Sequence, residues 1–201
     1  MKKSMIAIAM MVLCDLAVAK DVSVLPEGFV SIMKTHEGCV INNPLPKDGE
    51  SVSWSGGCVN GLADGYGVLQ WYLHGKPTDR YVGEYQAGRI HGVGQYVRRD
   101  GVVHTGSWKD DKVDGFAEIV FTGMWQGDVY VGAMQDGKRH GRGTYYSNIH
   151  NLGTRRDYGD DFLSKHVAGV TRRGSYLVAD AIYEEGGLVA ICGKDAHDLC
   201  H

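Results

Sequence analysis

YVGEYQAGRIHGVGQY (residues 81–96) and YVGAMQDGKRHGRGTY (residues 130–145) state one pattern twice. An aromatic residue is followed by a glycine two positions on and a large apolar residue two further. Gly, His-Gly and Gly then recur at the same offsets. A worn copy lies between them, with His104, Gly106, Trp108, Asp111, Asp114, Gly115, Ala117 and Ile119 at those offsets. Another precedes them: Trp54, Gly56, Cys58, Gly61, Asp64, Gly65, Gly67 and Leu69. The copies start 27, 23 and 26 residues apart, and self-similarity at a near-fixed period is the signature of a repeat architecture.

The spacing has a physical reading. In an extended strand Tyr81, Gly83 and Tyr85 share one face, and Gly92, Gly94 and Tyr96 share a face of the next. Gly88 and the His91-Gly92 pair between them are suited to a tight reversal, so each copy predicts a β-hairpin. Glycines weaken a strand interior, but rings lying across the bare backbone of a neighbouring hairpin would offset that. One hairpin is marginal in water, so several must stack.

These residues resemble the MORN (membrane occupation and recognition nexus) repeat, Y-x-G-x-[YWF]-x-x-G-x-x-[HD]-G-x-G-x-[YLF]. The second and fourth copies match it nearly throughout. The third departs at Asp111 and Ala117, and the first at Cys58. The resemblance implies an elongated single-layer antiparallel sheet of successive hairpins, acting as a scaffold or, in some members, at lipid. It implies no chemistry of its own.

Residues 1–19, MKKSMIAIAMMVLCDLAVA, read as a secretory signal peptide: two lysines, a short apolar run broken by Asp15, and an A-x-A site at Ala19. The organisation looks bacterial, so a periplasmic or secreted chain is expected. Its formal charge is −3, one unit more negative once Lys2, Lys3 and Asp15 leave. Such a chain has no bulk electrostatic reason to bind nucleic acid. Of its 29 glycines, 19 lie between Trp54 and Tyr145, so the excess belongs to the repeats.

Outward from the repeats (54–146, divided at about 80, 103 and 129), residues 20–53 read as an N-terminal cap. Pro26 would open a short helix with Phe29, Ile32 and Met33 on one face, and a loop would follow from Asn42 to Ser53. Residues 147–201 read as a C-terminal cap, with a helical stretch from Asp160 to Val167 and a last hairpin, residues 175–184 and 188–192. Four cysteines remain after cleavage. Cys39–Cys58 and Cys192–Cys200 are the favoured pairs of three connectivities, contributing roughly 3.3 and 2.6 kcal/mol by loop entropy. The rival for the second pair is a zinc site from Cys192, His197, Cys200 and His201, in a spacing unlike the common zinc modules.

No catalytic motif emerges, nor any that calls for a cofactor, so an enzyme would need an unrecognised site in the non-repeat ends. His91 and His140 stand where Asp64 and Asp114 stand in the other copies, which suits a backbone-bonding position better than proton transfer. The expectation is a non-catalytic module with an unknown protein partner, using a shallow concave face and aromatics outside the repeat frame: Trp71, Tyr72, Trp125 and Tyr146. The alternative is anionic lipid at a basic patch of Lys138, Arg139, Arg142, Arg155 and Arg156, followed by Arg172 and Arg173. Pairing of two copies through sheet edges is compatible with either.

Overall fold

The computed structural model describes Glu27, Phe29 and residues 31–151 and 170–192. Fourteen strands form one sheet: β1 (Ile32–Lys34), β2 (Val40–Asn42), β3 (Glu50–Trp54), β4 (Gly57–Val59), β5 (Leu62–Leu73), β6 (Lys76–Gln86), β7 (Arg89–Val97), β8 (Val103–Lys109), β9 (Lys112–Val120), β10 (Val129–Gln135), β11 (Lys138–Asn148), β12 (Val170–Arg173), β13 (Tyr176–Glu184) and β14 (Gly187–Ile191). From β5 to β11 each strand pairs antiparallel with the next in sequence, and β13 follows β11. The expected sheet of hairpins is what the chain forms. The expected closing hairpin is present as β13 and β14.

Each repeat hairpin reverses on two residues with positive φ: Asn60-Gly61, Ala87-Gly88, Asp110-Asp111, Asp136-Gly137 and, in the closing hairpin, Glu185-Gly186. Two consecutive positive φ values match the right-handed twist of the flanking strands. The His-Gly pair is therefore not the reversal that the sequence suggests. Gly83 pairs with Gly94 but Glu84 pairs with His91, so His91-Gly92 opens a bulge inside β7, and Gly92 takes φ +63. His140-Gly141 does the same in β11. Bulges bend a strand and increase its twist.

Successive hairpins are joined at their tips by a recurring bond. The second turn residue donates its N–H to the carbonyl just before the preceding copy's Asp or His: Gly88 to Ala63 (2.8 Å), Asp111 to Ile90 (3.1 Å), Gly137 to Val113 (2.9 Å) and Gly186 to Arg139 (2.9 Å). Where that residue is Asp, its carboxylate also accepts from the next tip. Asp64 takes the Ala87 N–H at 3.0 Å and Asp114 the Asp136 N–H at 3.1 Å.

Rings and glycines explain one another, but within a hairpin rather than between neighbours as expected. Tyr81 lies over Gly83 and Gly94 of its own two strands, Tyr130 over Gly132 and Gly143, and Trp54 over Gly56 and Gly67. A Cβ on Gly67 would come within 2.6 Å of the Trp54 ring, so no side chain fits there. Tyr81 and Tyr130 then donate their hydroxyls to the Glu84 and Ala133 carbonyls at 3.2 and 2.8 Å. In the third hairpin the ring is His104, and one glycine is replaced by Ala117, which is fully buried.

The N-terminal cap is a strand pair where a helix is expected. Phe29, Ile32 and Met33 suit a helical face, yet Ile32–Lys34 pairs with Val40–Asn42 in a small hairpin. The non-local partner decides: β2 crosses the hairpin tips. The Val40 N–H donates to Gly61 and the Asn42 N–H to Gly88, each at 2.8 Å, and Asn42 Nδ2 reaches Asp111 at 2.6 Å. Three tips are thus held by two residues of one strand, Val40 and Asn42. The predicted disulfide Cys39–Cys58, Cα atoms 5.7 Å apart, fixes this strap to the first hairpin. Within the segment expected to be loop, only residues 43–49 lack strand structure. The signal peptide, the helix at 160–167 and Cys200 lie outside the described residues. Cys192 is disulfide-bonded.

Candidate binding groove

Where the strap leaves the tips, its loop stands away from the sheet and encloses a groove of about 660 Å³. Every second residue of the strands beneath faces it. Tyr85 and Trp108 hold the same offset in the second and third copies, and Tyr96 closes the second. Their rings join with Trp71: Trp71 to Tyr96 is 5.5 Å between centroids, Tyr96 to Trp108 is 5.9 Å, and Tyr81 touches both Tyr85 and Trp108 at 5.7 and 5.8 Å. Edge and tilted geometries of this kind add to what area burial supplies. In the first copy the same offset is Cys58, so a disulfide replaces a ring exactly where the strap is tied down.

The walls are the strap loop, with Pro44 and Leu45, and the β7–β8 connection, with Arg98, Arg99 and Asp100. Leu45 is 78% exposed, an apolar side chain presented at the rim. The two arginines of that wall are already paired: Arg98 with Asp100 at 2.7 Å and Arg99 with Asp79 at 3.0 Å. Asp79 also accepts the Arg99 N–H at 2.5 Å. Exposed pairs such as these contribute little to stability. Their effect is to leave an aromatic floor beside a wall whose arginines are paired.

His104 also lines the groove. Burial, aided by the nearby Arg98, pushes its pKa below the ordinary histidine value despite the opposing influence of Asp100. The imidazole is neutral at pH 7, and its Nδ1 is buried without a hydrogen-bond partner. Burial holds the Tyr85 and Tyr96 phenols well above the usual tyrosine value, so both remain donors. Among the described residues no cluster of His, Cys, Asp or Glu is arranged to hold a metal ion.

Of the four aromatics marked out in the sequence, only Trp71 lines the groove. Tyr72 stacks on His36 at 5.8 Å and its hydroxyl lies 3.4 Å from Ser53. Tyr146 meets Tyr176 edge-on at 6.2 Å. Trp125 is half-exposed in a short 3-10 turn, Gly123–Trp125. The basic residues part company. Lys138 pairs with Glu185 at 2.6 Å. Arg139 sits over Tyr183 at 4.7 Å and beside Tyr130 and Tyr145, on the groove side of the sheet. Arg142 projects from the opposite face, exposed. Arg155 and Arg156 lie outside the described residues. Sequence reading missed Tyr96, Trp108, His104 and Leu45 as groove residues. The first two could have been found from their recurring offsets, since a ring repeated at one offset must stack with its neighbours.

This geometry defines a class: a single-layer array of β-hairpin repeats with an aromatic groove under an N-terminal strap. Three of the repeats match the family model of the MORN repeat, at residues 54–72, 81–103 and 130–151. The third hairpin lies outside those matches, although its turn and pairing are those of the others. MORN repeats bind protein or lipid and are in general not catalytic.

Proposed function

We propose that the chain is a non-catalytic interaction module that takes an apolar segment of a protein partner in the Trp71–Tyr96–Trp108 groove. The observation that carries this is the combination of an aromatic floor with a rim whose arginines are already paired. Such a site recognises side-chain shape more than charge. A periplasmic or secreted setting, reached after cleavage near Ala19, fits the leader-like N-terminus and the Cys39–Cys58 disulfide. The second pair would be Cys192–Cys200. A reading on anionic lipid would rest on Arg142 with Arg155 and Arg156, since Lys138 and Arg139 are engaged internally.

The test is capture from a cell-envelope extract by the oxidised chain from residue 20, washed at low and high salt, beside Leu45→Asp and Arg142→Glu variants. A protein retained at high salt and lost with Leu45→Asp supports the groove. Capture that vanishes at high salt and with Arg142→Glu would instead support the anionic surface. A protein held equally by wild type and Leu45→Asp would remove the groove from consideration.

A further inference from the structure

The face of the sheet away from the groove carries exposed apolar side chains among polar ones, and no other described element lies over them. Tyr66, Val93 and Phe116 are 69%, 61% and 63% exposed there, each on the second strand of a hairpin. One cross-strand row beside them has four valines at its centre. It runs from Arg80 through Val97, Val103, Val120 and Val129 to Tyr146. Large apolar side chains repeated along one exposed face suit an interface. Two charges stand at opposite ends of the exposed stripe: Glu84 on β6 and Arg142 on β11, both exposed and with no ion pair among the described residues.

We propose that this face is the interface of a homodimer, two sheets stacked face to face about a two-fold axis parallel to the strands between β8 and β9. The repeat pattern dictates this axis. Eight strands, β5 to β11 and β13, carry the rows, and the operation reverses their order while keeping each row in register. Glu84 of one copy then falls against Arg142 of the other, and the reciprocal pair forms at the far end. Val103 lies over Val120 and Val97 over Val129 near the axis, and Arg80 lies over the Tyr146 ring. The remaining acids meet neutral groups, Glu118 against Thr105 and Asp180 against Val68.

The size is adequate. Eight strands about 4.8 Å apart, each contributing about 17 Å, offer roughly 600 Å² of plane area on each copy, within the range of specific interfaces. Aligned sheets also tolerate the ~30° rotation that their twist imposes. The proposal uses the opposite face from the groove and does not depend on what the groove binds.

Sedimentation velocity of the oxidised full-length mature chain at micromolar concentration tests it, with circular dichroism to confirm that each variant is folded. The expected result is a dimer. Glu84→Arg and Arg142→Glu should each weaken it about tenfold or more, because each places like charges together twice. Combining the two substitutions should restore dimerisation, since the swapped charges again meet across the axis. A monomer at every concentration would overturn the proposal, as would a dimer indifferent to the single substitutions or a double variant no tighter than the singles. A monomer that instead floats with phosphatidylglycerol vesicles would assign the face to a membrane.

Discussion

The second and third hairpins have the same turn geometry and the same pairing, yet they solve the space above their central glycines differently. In the second, a tyrosine covers two bare glycines and anchors its hydroxyl on the Glu84 carbonyl. In the third, an imidazole stands at the tyrosine's offset, the atoms closest above Gly106 belong to the Phe116 carbonyl and Ala117 rather than to a ring, and Nδ1 of His104 finds no acceptor or donor. One arrangement is closed by a hydrogen bond. The other keeps a buried polar atom unsatisfied, and it is the one beside the groove. The contrast teaches that the repeat is a volume rule before it is a sequence rule: ring plus glycine, or smaller ring plus methyl.

That comparison can be broken most forcefully at the ring. Tyr81→Ala should cost about 3–5 kcal/mol in urea unfolding of the oxidised chain, as for other buried aromatics, whereas His104→Ala should cost nearer 1 kcal/mol. Equal losses would refute the distinction. Gly94→Ala comes next. Its methyl would meet the Tyr81 ring at 2.6 Å or less, a cost of about 1–3 kcal/mol from overpacking, while Ala117 shows that the third hairpin accepts that same methyl.

A cycle sharpens the rule. His104→Tyr alone should destabilise because Ala117 occupies the seat, and combining it with Ala117→Gly should recover about 1–2 kcal/mol through coupling. Additivity of the two would mean that the ring and the methyl do not share space. A smaller effect follows from titration. The folded pKa of His104 is depressed, so below the ordinary histidine value of 6.5 the unfolded chain takes up a proton that the folded chain resists. Stability is full above that value, declines as pH falls through it, and levels once the folded imidazole protonates. Melting temperatures of wild type and His104→Phe between pH 7.5 and 5 would show it, as a wild-type acid-side slope that the variant partly loses. The smallest effect belongs to the tips: Asp114→Ala, which removes one bond to Asp136, should cost about 1 kcal/mol.

What was legible in the sequence is what repeats. The hairpins, the partnership of rings with glycines (though not that it closes within one hairpin) and the closing strands follow from offsets, and Cys39–Cys58 is the favoured pairing of its cysteines. The misreadings share a cause. Gly88 and Gly92 both take positive φ, and nothing local says which one makes the reversal, because its partner is Ala87, an unusual residue at φ +48. Phe29, Ile32 and Met33 fit a helix in isolation, and only the hairpin tips they approach make the segment extended. Trp71 was visible as an aromatic outside the frame. Its groove was not, since the wall at Leu45 is set by Asn42 reaching Asp111, 69 residues away.

The strand that crosses the tips has a consequence for how such a chain can lengthen. Duplication is the ordinary route by which tandem units multiply, and each new copy needs only a neighbour on either side. Asn42 meets the second tip with its backbone and the third with its side chain, so a unit inserted between the first and third hairpins would carry Asp111 beyond its reach. A unit added after the third would disturb neither contact. In this molecule growth is open toward the C-terminal side and closed toward the N-terminal one.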